Sequence, residues 1–246
     1  MNQPRPVALI TGASRRIGAA IARRLHEAGY DLALHHRRDD DRMDSLISEL
    51  ESERPGSTLE LRAELADMEN LPLLIADVVM RFERIDVLVN NASAFFATRI
   101  GETTQQQWDT IFAANARAPF FLSQAAAPHL KPTSGTIVNL VDVYADRPLK
   151  DYTLYCMAKA ALVMLTKSLA KELGPEIRVN GIAPGAVLWP EGGLEEELQQ
   201  NLLKKTALKR AGDPSDVADA ALFLIRDARY TTGEILRIDG GRSLAI

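Results

Sequence analysis

Residues 7–36 read VALITGASRRIGAAIARRLHEAGYDLALHH, and the fold is decided by how that stretch is parsed. Val7–Ile10 is a short apolar run bounded by Pro6 and Gly12, as expected of a parallel strand buried on both faces. A helix pattern follows through Ala28 and stops at Gly29, and Tyr30–His35 forms a second strand candidate. Strand, glycine turn, helix and strand within about 30 residues make the βαβ unit that sets a dinucleotide pyrophosphate at a helix N-terminus. The turn, Thr11-Gly12-Ala13-Ser14-Arg15-Arg16-Ile17-Gly18, has Arg16 where the usual fingerprint carries a further glycine. A plain structural turn would explain such a spacing equally well. Gly12, Arg16, Ile17 and Gly18 are the candidate cofactor contacts here.

The end of the second strand says more. An acid there would accept a hydrogen bond from the ribose 2'-hydroxyl and favour NAD. This chain has His35-His36-Arg37-Arg38 instead, basic groups suited to a 2'-phosphate, so NADPH is expected, with Arg38 the favoured phosphate ligand. His35 and His36 read as a strand end rather than as catalysts. Asp39–Asp41 follow at once and read as a solvated loop feeding the next helix, where acids suit the N-terminal dipole.

The alternation continues. Asp44–Arg54 reads as a helix, Leu59–Leu65 as a third strand with Glu64 placed to meet an adenine amino group, and Leu71–Arg84 as a helix. Asp86–Ser93 is a fourth strand entering a polar turn, Asn91-Ala92-Ser93, whose small residues would let a nicotinamide ribose approach. Trp108–Ala127 is helical by periodicity, with Asn115 inside it facing solvent or holding an internal hydrogen bond or water. Gly135–Val141 is a fifth strand ending at Asp142, Arg178–Ile182 a sixth, and Gly233–Ile238 a seventh, closed by Asp239-Gly240-Gly241. Pro184-Gly185 opens a loop through Trp189, Pro190, Gly192 and Gly193 to Glu195-Glu196-Glu197, read as a substrate lid over 184–205 or only a long connection. Asp213-Pro214 caps a last helix. The expectation is α/β: a single-domain Rossmann fold, a doubly wound seven-stranded parallel sheet with helices on both faces.

Composition narrows the function. With 246 residues, 46% apolar and 25% charged, the chain can bury a full core without disulfides or metal. A net charge of -4 gives no general nucleic-acid surface. Cys156 is the only cysteine, and no Cys/His cluster has zinc spacing, so no metal site is expected. No apolar run approaches the roughly 20 residues of a membrane span. The N-terminus, MNQPRPVALI, leaves no room for a signal peptide, and a cytoplasmic protein is expected.

Within DVYADRPLKDYTLYCMAK, residues 142–159, Tyr155 and Lys159 stand four apart, so on a helix they share a face. A nearby ammonium favours the phenolate, which would bring a phenol of ordinary pKa near 10 into use as an acid or base. Alone, the pair is equally an amphipathic helix with a snorkelling lysine.

Taken together, TGASRRIG, NNAS at 90–93, Asn115, YCMAK at 155–159, RVNGIAPG at 178–185 and YTTGEILRIDGG make a pattern that resembles the short-chain dehydrogenase/reductases over nearly the whole chain. Within that superfamily it is similar to the pteridine reductases and dihydromonapterin reductases. Arg16 replaces the middle glycine, the HHRR run ends the second strand, Phe95 follows Asn91-Ala92-Ser93, and Asp142 replaces the superfamily's usual serine. The resemblance implies a catalytic group of Asp142, Tyr155 and Lys159, with Asn115 organising a water near Lys159. It implies cofactor contacts at Gly12, Arg16, Ile17, Gly18, His36, Arg37, Arg38, Glu64, Leu65, Asn91, Ala92, Ser93, Tyr155, Lys159, Pro184 and Gly185. Arg16, Ser93, Phe95, Asp142 and Tyr155 would line a pterin site, Phe95 stacking the ring against the nicotinamide. Glu64 stands where the group usually has aspartate. A homotetramer is implied as well.

The chemistry favours the same substrate class. A ketone reductase needs a neutral donor to the substrate oxygen, whereas an ionised aspartate only accepts. A pterin offers C=N bonds to reduce, together with amino and ring N–H groups that seek acceptors. NADPH-dependent pterin reduction is therefore expected. The rivals are a general reductase of ketones, 3-oxoacyl thioesters or sugars, and a nucleotide-sensing protein that has lost turnover.

Overall fold

The strands at the centre of the sheet are buried nearly along their whole length, and burial on both faces explains why their sequences do not alternate. The computed structural model describes residues 4–38, 40–187 and 196–245. All pairings are parallel, in the order β3-β2-β1-β4-β5-β6-β7. These strands are β1 (Val7–Thr11), β2 (Asp31–His36), β3 (Thr58–Arg62), β4 (Val87–Asn90), β5 (Thr136–Leu140), β6 (Arg178–Pro184) and β7 (Ile235–Ile238). The order reverses between β1 and β4, with Ala8 paired to both Leu32 and Val87. In a doubly wound sheet that reversal opens a crevice at the C-terminal strand ends.

Side chains of alternating strand residues enter separate cores. Ala8 and Ile10 meet α1 (Arg16–Glu27), α2 (Asp41–Glu53) and α8 (Pro214–Leu222). Val7 and Leu9 meet α3 (Asn70–Phe82), α5 (Ala118–Leu130) and α6 (Thr153–Leu173). The expected doubly wound, seven-stranded architecture is the one observed.

Several boundaries differ from expectation for local reasons. The helix α2 begins at Asp41, because Asp40 accepts from the Arg42 N–H at 3.1 Å and caps it. The strand β3 ends at Arg62, so Glu64 and Leu65 lie beyond it. The single helix expected over 108–127 is instead α4 (Gln105–Phe112), a π turn at Ala113–Arg117, and α5. Part of the stretch read as a lid is α7 (Glu196–Lys205), with acids in its first turn and lysines in its last, matching its dipole. Trp189, Pro190, Gly192, Gly193 and Glu195 fall outside the described residues.

Contrary to the reading that no apolar run nears membrane length, α6 is long and apolar enough by length and composition to span one. Its buried face, Leu154, Tyr155, Ala158, Lys159, Leu162, Thr166, Leu169 and Ala170, is packed inside this fold.

Candidate active site

The sequence-predicted residues converge on the C-terminal ends of β1, β2, β4, β5 and β6. The turn after β1 is a close backbone approach. Gly12 has φ +63°, and a Cβ there would lie 2.9 Å from the Ala92 Cα. A Cβ on Gly18 would lie 2.2 Å from the Gly12 carbonyl oxygen and 2.6 Å from the Asn91 Nδ2. Asn91 locks the turn by donating to the Thr11 and Gly12 carbonyls at 2.9 and 2.8 Å. Thr11 Oγ1 accepts the Asn91 and Ala92 N–H groups at 2.9 and 3.0 Å. Arg16 sits at φ +53°, so it keeps the left-handed backbone that the missing glycine would supply. The α1 N-terminus has neither a side-chain cap nor acids in its first turn, which leaves its amides for an anionic ligand. A dinucleotide pyrophosphate fits this cradle.

At the end of β2, Arg37 and Arg38 are exposed, as a 2'-phosphate site requires. His35 is buried between the Gly12 N–H (3.3 Å to Nδ1) and the Ala63 carbonyl (3.1 Å to Nε2). Its burial lowers its pKa to about 4, so it is a neutral strand-end residue. His36 is buried too, with Nδ1 2.7 Å from the Arg38 carbonyl and Nε2 2.8 Å from Glu60, which places it behind Arg37 and Arg38 rather than on the surface with them. Glu64 is exposed and lies 3.8 Å from Arg37. Leu65 has its side chain in the core, leaving only its backbone to face a cofactor. Pro184 ends β6, and the glycine at 185 is required by Asp239, whose Cβ would stand 2.7 Å from an added Cβ.

The candidate reacting end joins the stretch 142–159 to Ser93, Phe95 and Asn115. Tyr155 donates its phenolic hydrogen to Asp142 Oδ2 at 2.8 Å. Asp142 Oδ1 accepts the Tyr144 N–H at 2.9 Å, capping the 3₁₀ turn Val143–Ala145. The capping role and the contact with Tyr155 thus use different oxygens of one carboxylate. Lys159, one turn on, donates to the Leu140 carbonyl at 2.7 Å and lies 5.7 Å from the Tyr155 ring centre. Asn115 is fully buried in the π turn. It donates to the Ala94 and Ile111 carbonyls (2.8 and 3.0 Å) and accepts from Ser93 Oγ (2.7 Å), which is why a poor helix former is tolerated there.

Phe95 stands over this group, 48% exposed, edge-on to Tyr155 at 4.7 Å and stacked on Tyr152 at 4.5 Å. Tyr152 was not singled out from the sequence, although its three-residue spacing from Tyr155 was a readable signal. Thr98 also went unnoticed; its N–H donates to the Asp151 carbonyl at 2.6 Å and ties the Phe95 segment to the start of α6.

The match to known proteins now has a geometry to attach to. A family model described as enoyl-(acyl carrier protein) reductase matches residues 12–243. The chain belongs to the short-chain dehydrogenase/reductase family. Pteridine reductase 1 of Leishmania tarentolae is 35% identical, the alignment covering 97% of this chain and 96% of that protein. The 3-oxoacyl-[acyl-carrier-protein] reductase FabG of Staphylococcus aureus is 34% identical over 95% of this chain and 96% of its own length. An uncharacterized oxidoreductase of Methylorubrum extorquens is 33% identical over 96% of each. The protein is therefore an oxidoreductase of a family that generally uses nicotinamide dinucleotides.

Electrostatics in this short-chain dehydrogenase/reductase differ from expectation in one respect. Burial, then the Asp142 charge and hydrogen bond, hold the Tyr155 phenol well above its ordinary range, with Ser93 opposing. This corrects the reading that Lys159 would draw it down. Lys159 is itself lowered to about 8 by burial, with Asp142 opposing. Burial raises the Asp142 carboxyl against the Tyr144 N–H, the Tyr155 hydroxyl and the charges of Lys159 and Arg242. The phenol therefore keeps its proton and donates it in the hydrogen bond to Asp142 inside the crevice.

Proposed function

We propose that the protein reduces a pterin, at the dihydro or fully oxidised level, with NADPH. The carrying observation is the 2.8 Å hydrogen bond from Tyr155 to Asp142. A carboxylate at this position accepts hydrogen bonds from the amino and ring N–H groups of a nitrogen heterocycle, which a ketone lacks. Tyr155 and Asp142 together hold the proton that the adjacent ring nitrogen takes up. Bound NADPH supplies the hydride. Gly12, Gly18 and the α1 amides would hold its pyrophosphate, and Arg38 with Arg37 its 2'-phosphate. Lys159 would bind the nicotinamide ribose, and Asn115 with Ser93 steadies the floor beneath it. Phe95 offers an aromatic face to a planar ring. Exposed Trp108, Phe120 and Met164 on α4–α6, with Phe223 and Leu244 near the C-terminus, support assembly into a homotetramer, which sedimentation would test.

The test presents NADPH with dihydrobiopterin, dihydromonapterin and an acetoacetyl thioester. Turnover of either pterin with little thioester reduction is expected. Preferential thioester reduction would overturn the reading in favour of the activity named for the Staphylococcus relative. An Asp142→Ser variant with undiminished pterin turnover would remove the argument as well.

A further inference from the structure

The cation opposite Asp142 comes from the far end of the chain. Arg242 is only 5% exposed, yet among the described residues no carboxylate lies within ion-pair distance of it. Its Nη2 donates to the Tyr144 hydroxyl at 2.9 Å, its guanidinium lies 6.0 Å from that ring's centre, and its Nη1 has no partner. A buried guanidinium without a counter-charge is costly unless some anion lies within electrostatic reach. The Arg242 charge is one of those that act on Asp142, the residue whose Oδ1 the Tyr144 N–H holds.

The closing turn puts Arg242 there. Asp239 accepts the Gly241 and Ser243 N–H groups, both at 2.8 Å, and starts the 3₁₀ turn Arg242–Leu244. Gly240 and Gly241 take φ +60° and +78°, where an added Cβ would press on Thr206 and Ala207 at 2.9 and 2.7 Å. The Asp-Gly-Gly motif thus turns the chain back and delivers the arginine beneath Tyr144.

We propose that Arg242 is a positioning residue of the reacting group: with Tyr144 it forms a bracket that steadies the turn carrying Asp142 and keeps a positive charge near its carboxyl. The inference rests on reading Asp142 and Tyr155 as the reacting pair. The groups facing Asp142 are Tyr144 on its own turn, Tyr155 and Lys159 on α6, and Arg242, with Ser93 and Cys156 behind Tyr155. Arg237 is taken up by Asp146 at 2.7 Å.

The test follows Asp142 by the infrared carboxylate band of the full-length enzyme labelled with ¹³C-aspartate, isolated by subtracting the Asp142→Asn spectrum. Removing a cation strengthens proton binding to a carboxylate, so Arg242→Gln should move the midpoint to higher pH, with proton affinity up about fivefold to tenfold. Arg242→Lys should lie within about twofold of the parent, a rescue that lost packing alone would not give. Tyr144→Phe should move the midpoint the same way by less, and it carries the test should Arg242→Gln not fold. An unmoved midpoint in a folded variant overturns the proposal. A shifted midpoint without any pterin turnover upholds the bracket and removes the pterin reading; turnover with an unmoved midpoint does the reverse.

Discussion

The two ends of the crevice are built from different materials. The dinucleotide end, around Gly12, Gly18 and Asn91, is backbone held close by glycines and by hydrogen bonds to carbonyls. The candidate reacting end, around Asp142, Tyr155 and Lys159, is made of titratable side chains with little exposure, brought together by the turn after β5 and the first turns of α6. On the proposed reading the first would work by shape and uncapped amides, the second by proton affinities that burial has moved. Damage to one end should therefore leave a different signature from damage to the other.

The largest difference is expected at Tyr155. Tyr155→Phe removes the only proton between phenol and carboxylate and should lower kcat about 10³-fold. Dinucleotide affinity, followed by fluorescence titration, should stay within a few-fold. Equal loss of both would break the division between the ends.

The opposite signature belongs to Gly18→Ala. The new methyl would lie 2.2 Å from the Gly12 carbonyl and 2.6 Å from Asn91, groups already hydrogen-bonded and unable to yield cheaply. Overpacking of this kind should cost about 3 kcal/mol of stability and abolish dinucleotide binding. Thermal melts with and without NADPH check both, and a variant that still melts higher with NADPH would show the turn to be looser than its contacts imply.

A pH-dependent effect is expected at His35. It is buried neutral with its pKa near 4, against an ordinary value of 6.5. Below about pH 6.5 the unfolded chain takes up a proton that folded His35 refuses until about pH 4. Stability should thus fall by about 3 kcal/mol as pH drops through that window. Urea melts at pH 7 and pH 4.5, with His35→Gln as reference, measure it; an identical decline in both proteins would assign the acid sensitivity elsewhere.

These contrasts also mark what was legible in the sequence. The dinucleotide end is local: strand, turn, helix and strand are contiguous, so Gly12, Gly18 and the basic strand end could be read in a line. Tyr155 and Lys159 could be paired because helical spacing is fixed. The sign of the Tyr155 shift could not, since it depends on burial and on a carboxylate thirteen residues away whose reach only the fold determines. Arg242 was missed for the same reason, since its contact is with Tyr144 in a segment distant in sequence, whereas Tyr152 stood at a readable spacing from Tyr155 and was passed over. The π turn at Asn115 hid behind an ordinary helical periodicity that a single inserted residue does not disturb enough to see.

Arg16 belongs to both ends, and it gives the smallest and sharpest test. Its backbone lies in the cofactor turn at φ +53°, a conformation costing an L-residue about 1 kcal/mol that glycine would not incur. Retaining arginine at that cost is explained if its guanidinium serves the substrate. Arg16→Gly should then relieve that backbone cost and leave NADPH binding intact. The KM for a pterin should rise several-fold with little change in kcat, the pattern of lost binding shared by ground and transition states. A stabilised variant with an unchanged KM would assign Arg16 to the dinucleotide end alone, and a destabilised one would mean that its side chain holds the turn itself.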